Sequence, residues 1–189
     1  MSEPIALTAA GLRIEFWRSA DRYRHEVVAR GDGPDHRLLA SIEGSAEEEW
    51  PASPPLQELH VEQRGAGKWV ALLVGRAGRS HWSLSVEGAE SEPTLLFDVA
   101  CRSAGAGDEL TSRYRLAEGG MLSSNDGLIA LPSCHRLEVV EGVVHRTGAD
   151  SSFDIRPLRE RSGGGRVQTF RWRYRIGPLT DLESELERA

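Results

Sequence analysis

Residues 166–176 read RVQTFRWRYRI, and the alternation within this stretch decides the class of fold. The apolar positions are Phe170, Trp172, Tyr174 and Ile176, and the basic positions between them are Arg171, Arg173 and Arg175. Successive side chains of a strand point to opposite faces of its sheet. The stretch therefore predicts a strand of an antiparallel sheet, with its aromatic face in the core and its arginine face in solvent.

Similar strand patterns recur along the rest of the chain, separated by short turns rich in glycine and proline. Strands are predicted at residues 12–18, 22–29, 36–43, 56–64, 68–75, 80–87, 94–102, 110–116, 135–140, 143–146, 153–158 and 166–176. Hairpin turns are predicted at residues 19–21, 65–67 and 141–142 and in the loop that ends at Pro93. A further turn is predicted at the three glycines of residues 163–165, between the last two strands. Residues 69–74 are apolar throughout, which predicts a central strand covered on both faces.

About 11–12 short strands are typical of a large antiparallel β-sandwich, and a calycin-like closed β-barrel is the alternative. The length of 189 residues fits a single β domain over residues 1–189. Prolines and glutamates at residues 44–55 predict a surface loop with Trp50 as its anchor. Thr180 followed by Glu183 forms a capping-box pattern, which predicts a short C-terminal helix over residues 180–189.

Composition argues against several classes of partner. The formal net charge of −6 disfavours nucleic-acid binding, because the phosphate backbone favours basic domains. No apolar run approaches the roughly 18–20 residues of a membrane span, and the N-terminus lacks the features of a signal peptide. Cys101 and Cys134 form no metal-binding or redox motif, so we predict a cytoplasmic protein with reduced thiols. No phosphate-binding glycine motif is present, and no cofactor is predicted.

The arginine ladder, which we define as Arg171, Arg173 and Arg175, is the first candidate site. Alternate residues on one strand face lie about 7 Å apart, a spacing that suits successive anionic groups of a ligand. Trp17 lies on the polar face of its own strand and could stack on a sugar ring. A solvated face neutralised by neighbouring glutamates is the other interpretation. Lys68 is the only lysine and Asn125 the only asparagine, so a GC-rich genome is the simpler explanation of the arginines, ahead of a need for guanidinium groups.

A catalytic site is a weaker possibility in the hairpin of residues 80–102. If Val86 faces Leu95, then Ser83 faces Asp98, and His81 lies on the same sheet face. A nucleophile, a base and an orienting acid on one surface have the logic of a catalytic triad. A flat strand offers no backbone amides for an oxyanion hole, and the sequence has no GxSxG elbow.

A metal site is an equally weak possibility. In a hairpin around residues 141–142, Glu138 would face His145, with His135 further along the same strand. Imidazole and carboxylate groups together can hold a transition metal. Scattered surface histidines are the alternative interpretation, and no metal is predicted.

These features favour a non-catalytic binding module for a carbohydrate or a small anionic ligand. A carbohydrate-active enzyme of the epimerase or hydrolase type, with a His/carboxylate site, is one alternative. A protein-interaction domain that uses its sheet edge or the proline-rich loop is the other. The predicted partners are a small anion, a sugar or a protein, and neither nucleic acid nor membrane.

Overall fold

The computed structural model describes residues 3–103, 110–122, 127–147, 151–158 and 167–179, which form two antiparallel sheets. The seven-stranded sheet contains, in spatial order, β1 (Ile5–Ala9), β2 (Leu12–Ser19), β3 (Arg22–Ala29), β4 (His36–Ser41), β9 (Ser112–Leu116), β14 (Ser152–Arg156) and β13 (Val143–Arg146). The eight-stranded sheet contains β10 (Met121–Leu122), β11 (Leu128–Leu131), β12 (His135–Glu141), β15 (Gln168–Pro178), β8 (Glu92–Ser103), β7 (Ser80–Ala89), β6 (Lys68–Ala77) and β5 (Leu56–Gln63). The sheets do not close into a barrel, so the predicted sandwich is confirmed and the calycin-like alternative is wrong.

The core lies between the two sheets and is formed by alternate residues of their strands. In β15, Trp172, Tyr174 and Ile176 are fully buried, whereas Arg171 and Arg175 point to solvent. The facing predicted from the alternation is therefore confirmed. The seven-stranded sheet follows the same rule, because Leu12, Ile14 and Phe16 of β2 and Val27 of β3 all enter the core.

The hairpins β2–β3, β5–β6 and β7–β8 are confirmed, but two other connections differ from the prediction. Strands β12 and β13 do not pair, because the chain crosses from one sheet to the other at Gly142. At this glycine φ is +129°, and a Cβ would lie 2.5 Å from the Arg156 carbonyl oxygen. Strands β14 and β15 also lie in different sheets, and the predicted turn at 163–165 falls outside the described residues.

Three strands were not predicted, and one predicted environment is wrong. The missed strands β1, β10 and β11 are short and lie at or next to sheet edges, where few positions carry a periodic pattern. Strand β6 is not covered on both faces: Leu72 and Val74 are 38% and 47% exposed on the outer surface of its sheet. Its apolar outer positions therefore form part of the protein surface.

Residues 44–55 connect β4 in one sheet to β5 in the other, and the second half of this loop is not at the surface. Pro51, Pro54 and Pro55 are buried, and Trp50 packs against the core. The Ser53 hydroxyl donates to the carbonyl of Arg113 at 3.1 Å and accepts from its amide at 3.0 Å. The segment thus packs along the edge of the core instead of forming an open apolar loop.

The predicted C-terminal helix lies outside the described residues, and none of the described segments is helical. Accordingly, no helix in the described part of the chain has the length and hydropathy needed to cross a bilayer.

Candidate functional site

The arginine ladder lies on the outer face of the eight-stranded sheet, where carboxylates of the neighbouring strands β8 and β12 already bind it. Arg171 donates two hydrogen bonds to Asp98, with its Nε at 2.7 Å, and Arg173 Nε lies 3.4 Å from the same carboxylate. Arg175 donates to Glu138 Oε2 at 2.9 and 2.7 Å. An anionic ligand of the ladder would therefore compete with two carboxylates that the fold holds in place.

Trp17 does not join the ladder in one site. It lies on the outer face of the seven-stranded sheet, opposite in direction to the buried Phe16, so the whole core separates it from Arg173. The guanidinium carbon of Arg24, on the adjacent strand, lies 5.6 Å from the centroid of the Trp17 ring. A cation already covers part of the ring that could stack on a sugar.

The predicted arrangement of His81, Ser83 and Asp98 has the correct face but the wrong register. In the structure Ser85 lies opposite Asp98, Ser83 opposite Ala100, and His81 opposite Arg102. A bulge between Glu87 and Ala89 shifts the pairing by two residues, which leaves each side chain on its predicted face. Asp98 is bound by arginines, and His81 makes no hydrogen bond within the described residues, so these groups do not form a triad.

The predicted metal ligands are not brought together either. Glu138 lies in the eight-stranded sheet and binds Arg175, whereas His145 lies on β13 at the edge of the other sheet. His135 Nδ1 lies 2.7 Å from the carbonyl oxygen of Ser133. Among the described residues, no group of three His, Cys, Asp or Glu side chains is placed to hold a metal ion.

An open cavity of about 570 Å³ lies on the outer face of the eight-stranded sheet, over β6, β7 and β8. Arg76, His81 and Arg102 cross the three strands in register, since Arg76 pairs with His81 and His81 pairs with Arg102. We call these three residues the cationic row, after the guanidinium groups at its two ends. The hydroxyl-bearing residues Ser83 and Thr169 also line the cavity. Sequence reasoning identified His81 but missed both arginines.

The two arginines of the cationic row differ from those of the ladder, because no carboxylate of the described residues forms an ion pair with them, although Glu58 lines the same cavity. Both are exposed, and neither guanidinium group has an ion pair or hydrogen bond with any residue that the structure describes. The Gln57 side chain hydrogen-bonds to the backbone of Arg76 and not to its guanidinium group. With neighbouring strands about 4.8 Å apart, the Cα atoms of Arg76 and Arg102 are about 10 Å apart, with His81 between them. Two guanidinium groups at this separation can hold one anion from both sides.

A second polar cluster lies inside the sandwich and has no counterpart among the predicted sites. The Tyr114 hydroxyl lies 2.9 Å from His25 Nε2 and also hydrogen-bonds to the Tyr174 hydroxyl. Burial lowers the pKa of His25 to about 4 and raises the pKa values of both tyrosines, so all three side chains are neutral at pH 7. The rings of Phe16 and Phe97, each 5.9 Å from the His25 ring, border the cluster.

Glu43 extends this interior cluster toward the loop that follows β4. The His25 amide donates to Ser41 Oγ at 2.9 Å, and Ser41 Oγ donates to Glu43 Oε1 at 2.6 Å. Burial raises the pKa of Glu43 to about 7, although the Ser41 hydrogen bond and the charges of Arg22 and Arg24 act in the opposite direction. The cluster therefore holds a neutral histidine and a carboxyl that is about half protonated at pH 7.

The two cysteines lie in contrasting environments. Cys101 is fully buried on the inner face of β8, where burial raises the pKa of its thiol to about 12, whereas Cys134 is exposed in the turn before β12. We expect a thiol reagent such as DTNB, at about pH 8, to modify Cys134 at least about a hundredfold faster than Cys101. Thiol counts before and after denaturation check this, and two fast thiols in the folded protein would contradict it.

Comparison of the chain with protein-family models, with curated proteins and with solved structures finds no significant match. The class of site is therefore defined by the geometry: a cationic cavity on the outer face of a β-sandwich.

Proposed function

We propose that this protein is a non-catalytic binding module for a small anionic ligand, held by the cationic row Arg76, His81 and Arg102. The observation that carries the proposal is the pair of unneutralised guanidinium groups in one cavity, on a face where the other aligned arginines bind carboxylates. The hydroxyls of Ser83 and Thr169 add hydrogen-bonding groups beside them. Exposed arginines without partners keep their full capacity for an external anion.

A binding role is favoured over catalysis because the cavity lacks an assembled acid–base pair. Asp98 binds the arginine ladder, and Glu58, which lines the cavity, makes no hydrogen bond to His81 in the described structure. An anion is favoured over a neutral sugar, since Trp82 is only 2% exposed and offers no ring for stacking. The location that goes with this proposal is the cytoplasm, where free thiols such as Cys101 and Cys134 persist.

A thermal-shift and calorimetry series with inorganic phosphate, citrate, glucose 6-phosphate and neutral glucose tests the proposal. A ligand at about 100 times its Kd stabilises the folded protein by about 2.7 kcal/mol. We expect a shift with at least one anion and none with glucose, and a shift that weakens as salt screens the charges. The double variant Arg76→Gln/Arg102→Gln is expected to weaken binding at least about tenfold, as expected from loss of charge-assisted hydrogen bonds.

The matched control is Arg171→Gln/Arg175→Gln, which removes two arginines of the ladder from the same sheet face. Binding that survives in this variant and is lost without Arg76 and Arg102 supports the cavity as the site. If binding is instead lost in the Arg171/Arg175 variant and kept in the Arg76/Arg102 variant, the ladder is the binding site. An unchanged affinity in the Arg76/Arg102 variant contradicts the proposal.

A further inference from the structure

The outer face of β6 has exposed apolar side chains next to Arg76, and their order along the strand indicates the class of ligand. From the cationic row toward the start of the strand, the outward positions are Arg76, Val74 and Leu72, which follow one another at every second residue. Val74 and Leu72 are 47% and 38% exposed, so they form an apolar strip that continues the cavity. Outward positions beside the strip on β7 and β8 include the small Ser83, Ser85 and Ala100. On the other side, on β5, the exposed Glu58 pairs with Val74 and the exposed His60 pairs with Leu72.

The strip has a definite end. The next outward position on β6 is Val70, which pairs with Glu62 on β5 and Glu87 on β7, and both glutamates are exposed. Val70 itself is only 2% exposed, and Glu62 forms an ion pair with Arg64 at 3.8 Å, so the exposed apolar surface of β6 ends at Leu72. Four residues separate Arg76 from Leu72, which is about 13 Å at the rise of a strand.

We propose that the ligand of the cationic row is an amphipathic anion, with a phosphate or carboxylate head and an unbranched apolar chain no longer than about 13 Å. The head lies between Arg76 and Arg102, and the chain lies over Val74 and Leu72. This inference rests on the proposed function and specifies its ligand. A ligand that is polar throughout, such as a sugar phosphate, would leave two exposed apolar side chains without a partner.

The experiment measures Kd by calorimetry for ethyl, butyl, hexyl, octyl, decyl and dodecyl phosphate, below the concentrations at which the longer esters aggregate. Full burial of a methylene gives about fourfold in Kd, and a strip open on one side gives about twofold. We expect Kd to fall by about twofold per methylene until the chain reaches the glutamates at the end of the strip, and then to stop falling.

The double variant Leu72→Thr/Val74→Thr is expected to remove the dependence on chain length, so that ethyl and octyl phosphate bind with about the same Kd. Threonine keeps the strand preference of both positions, and both are exposed, so the fold is retained. Leu128→Thr is the matched control: Leu128 is 36% exposed on the same face but lies at the far side of the sheet, on β11. The control is expected to retain the dependence on chain length.

Several outcomes would overturn the inference. Equal affinity of the unaltered protein for ethyl and octyl phosphate would mean that the anion site binds phosphate but that the apolar strip does not contact the ligand. A dependence on chain length that survives in the Leu72/Val74 variant places the chain elsewhere. A dimer in sedimentation that this variant abolishes assigns the strip to a second copy of the chain. Failure of every alkyl phosphate to bind, together with failure of inorganic phosphate, citrate and glucose 6-phosphate, contradicts the proposed function itself.

Discussion

Replacing Trp172 with alanine is expected to lower the free energy of unfolding by about 3–5 kcal/mol, the range for deletion of a large buried aromatic side chain. The Trp172 side chain is fully buried, and its ring meets that of Trp82 edge to face, with centroids 6.2 Å apart. Its indole Nε1 also donates to Ser112 Oγ at 2.9 Å, a bond that joins the two sheets across the core. The alanine variant loses both the packing and this bond. Urea or thermal unfolding measures the change.

The arginines between the core residues provide the control for this prediction. The triple variant Arg171→Gln/Arg173→Gln/Arg175→Gln removes ion pairs that lie on the surface, each worth about 0–1 kcal/mol. We expect the triple variant to lose less than about 2 kcal/mol, because several such pairs rarely sum to more. A larger loss in the triple variant than in Trp172→Ala would contradict the facing of this strand.

The facing of β15 could be predicted because a period of two reports directly which residues share a sheet face. The same logic placed His81, Ser83 and Asp98 on one face correctly. Their mutual distances could not be predicted, because the bulge beside Gly88 shifts the pairing by two residues without changing the face. A Cβ at Gly88 would lie 2.4 Å from the Trp69 ring, so the backbone beside the bulge packs closely against the neighbouring strand at a position that only glycine fits.

The cationic row likewise could not be predicted without the register between neighbouring strands. Recognising it requires the register of β6 against β7 as well as that of β7 against β8, because Arg76 lies beside Arg102 only when both pair with His81. The ladder was conspicuous in the sequence because its arginines are neighbours on one strand. The carboxylates that bind them, Asp98 and Glu138, are distant in sequence, and only the sheet order brings them into contact.

The interior cluster was missed because its members are ordinary alternate residues of four strands and the segment after β4. The connections β12–β13 and β14–β15 were misjudged for a related reason. A glycine between two strand patterns is compatible both with a hairpin and with a crossing between sheets, and only the packing decides.

The second large expected effect concerns the interior cluster: His25 and Glu43 contribute with opposite sign to the pH dependence of stability. His25 has a pKa of about 4 in the folded protein, below its ordinary value of 6.5, so the unfolded chain binds more protons between these values. Its contribution makes stability rise with pH across that window. Glu43 has a folded pKa of about 7, above its ordinary value of 4.5. Here the folded protein binds more protons, and stability falls as the pH rises from about 4.5 to 7.

The two contributions almost cancel between about pH 4.5 and 6.5, because folding removes a proton from His25 and places one on Glu43. We expect these two groups to give the unaltered protein a nearly flat stability in this range. The ion pairs with Arg113 and Arg156 hold the pKa of Asp154 below its ordinary value. Asp154 therefore contributes to the pH dependence of stability only at lower pH.

Each single variant should reveal the contribution that its partner masks. With Glu43→Gln, stability is expected to rise by about 3 kcal/mol between pH 4 and 6.5, because only His25 then changes its proton binding. With His25→Gln, stability is expected to fall by about 3 kcal/mol between pH 4.5 and 7, because only Glu43 remains. Urea unfolding at half-unit steps of pH measures both slopes. If stability changes with pH in opposite directions in the two variants, folding shifts the pKa values of both groups as described. If the two variants have the same slope of stability against pH, folding does not change the proton binding of His25 and Glu43 in opposite directions.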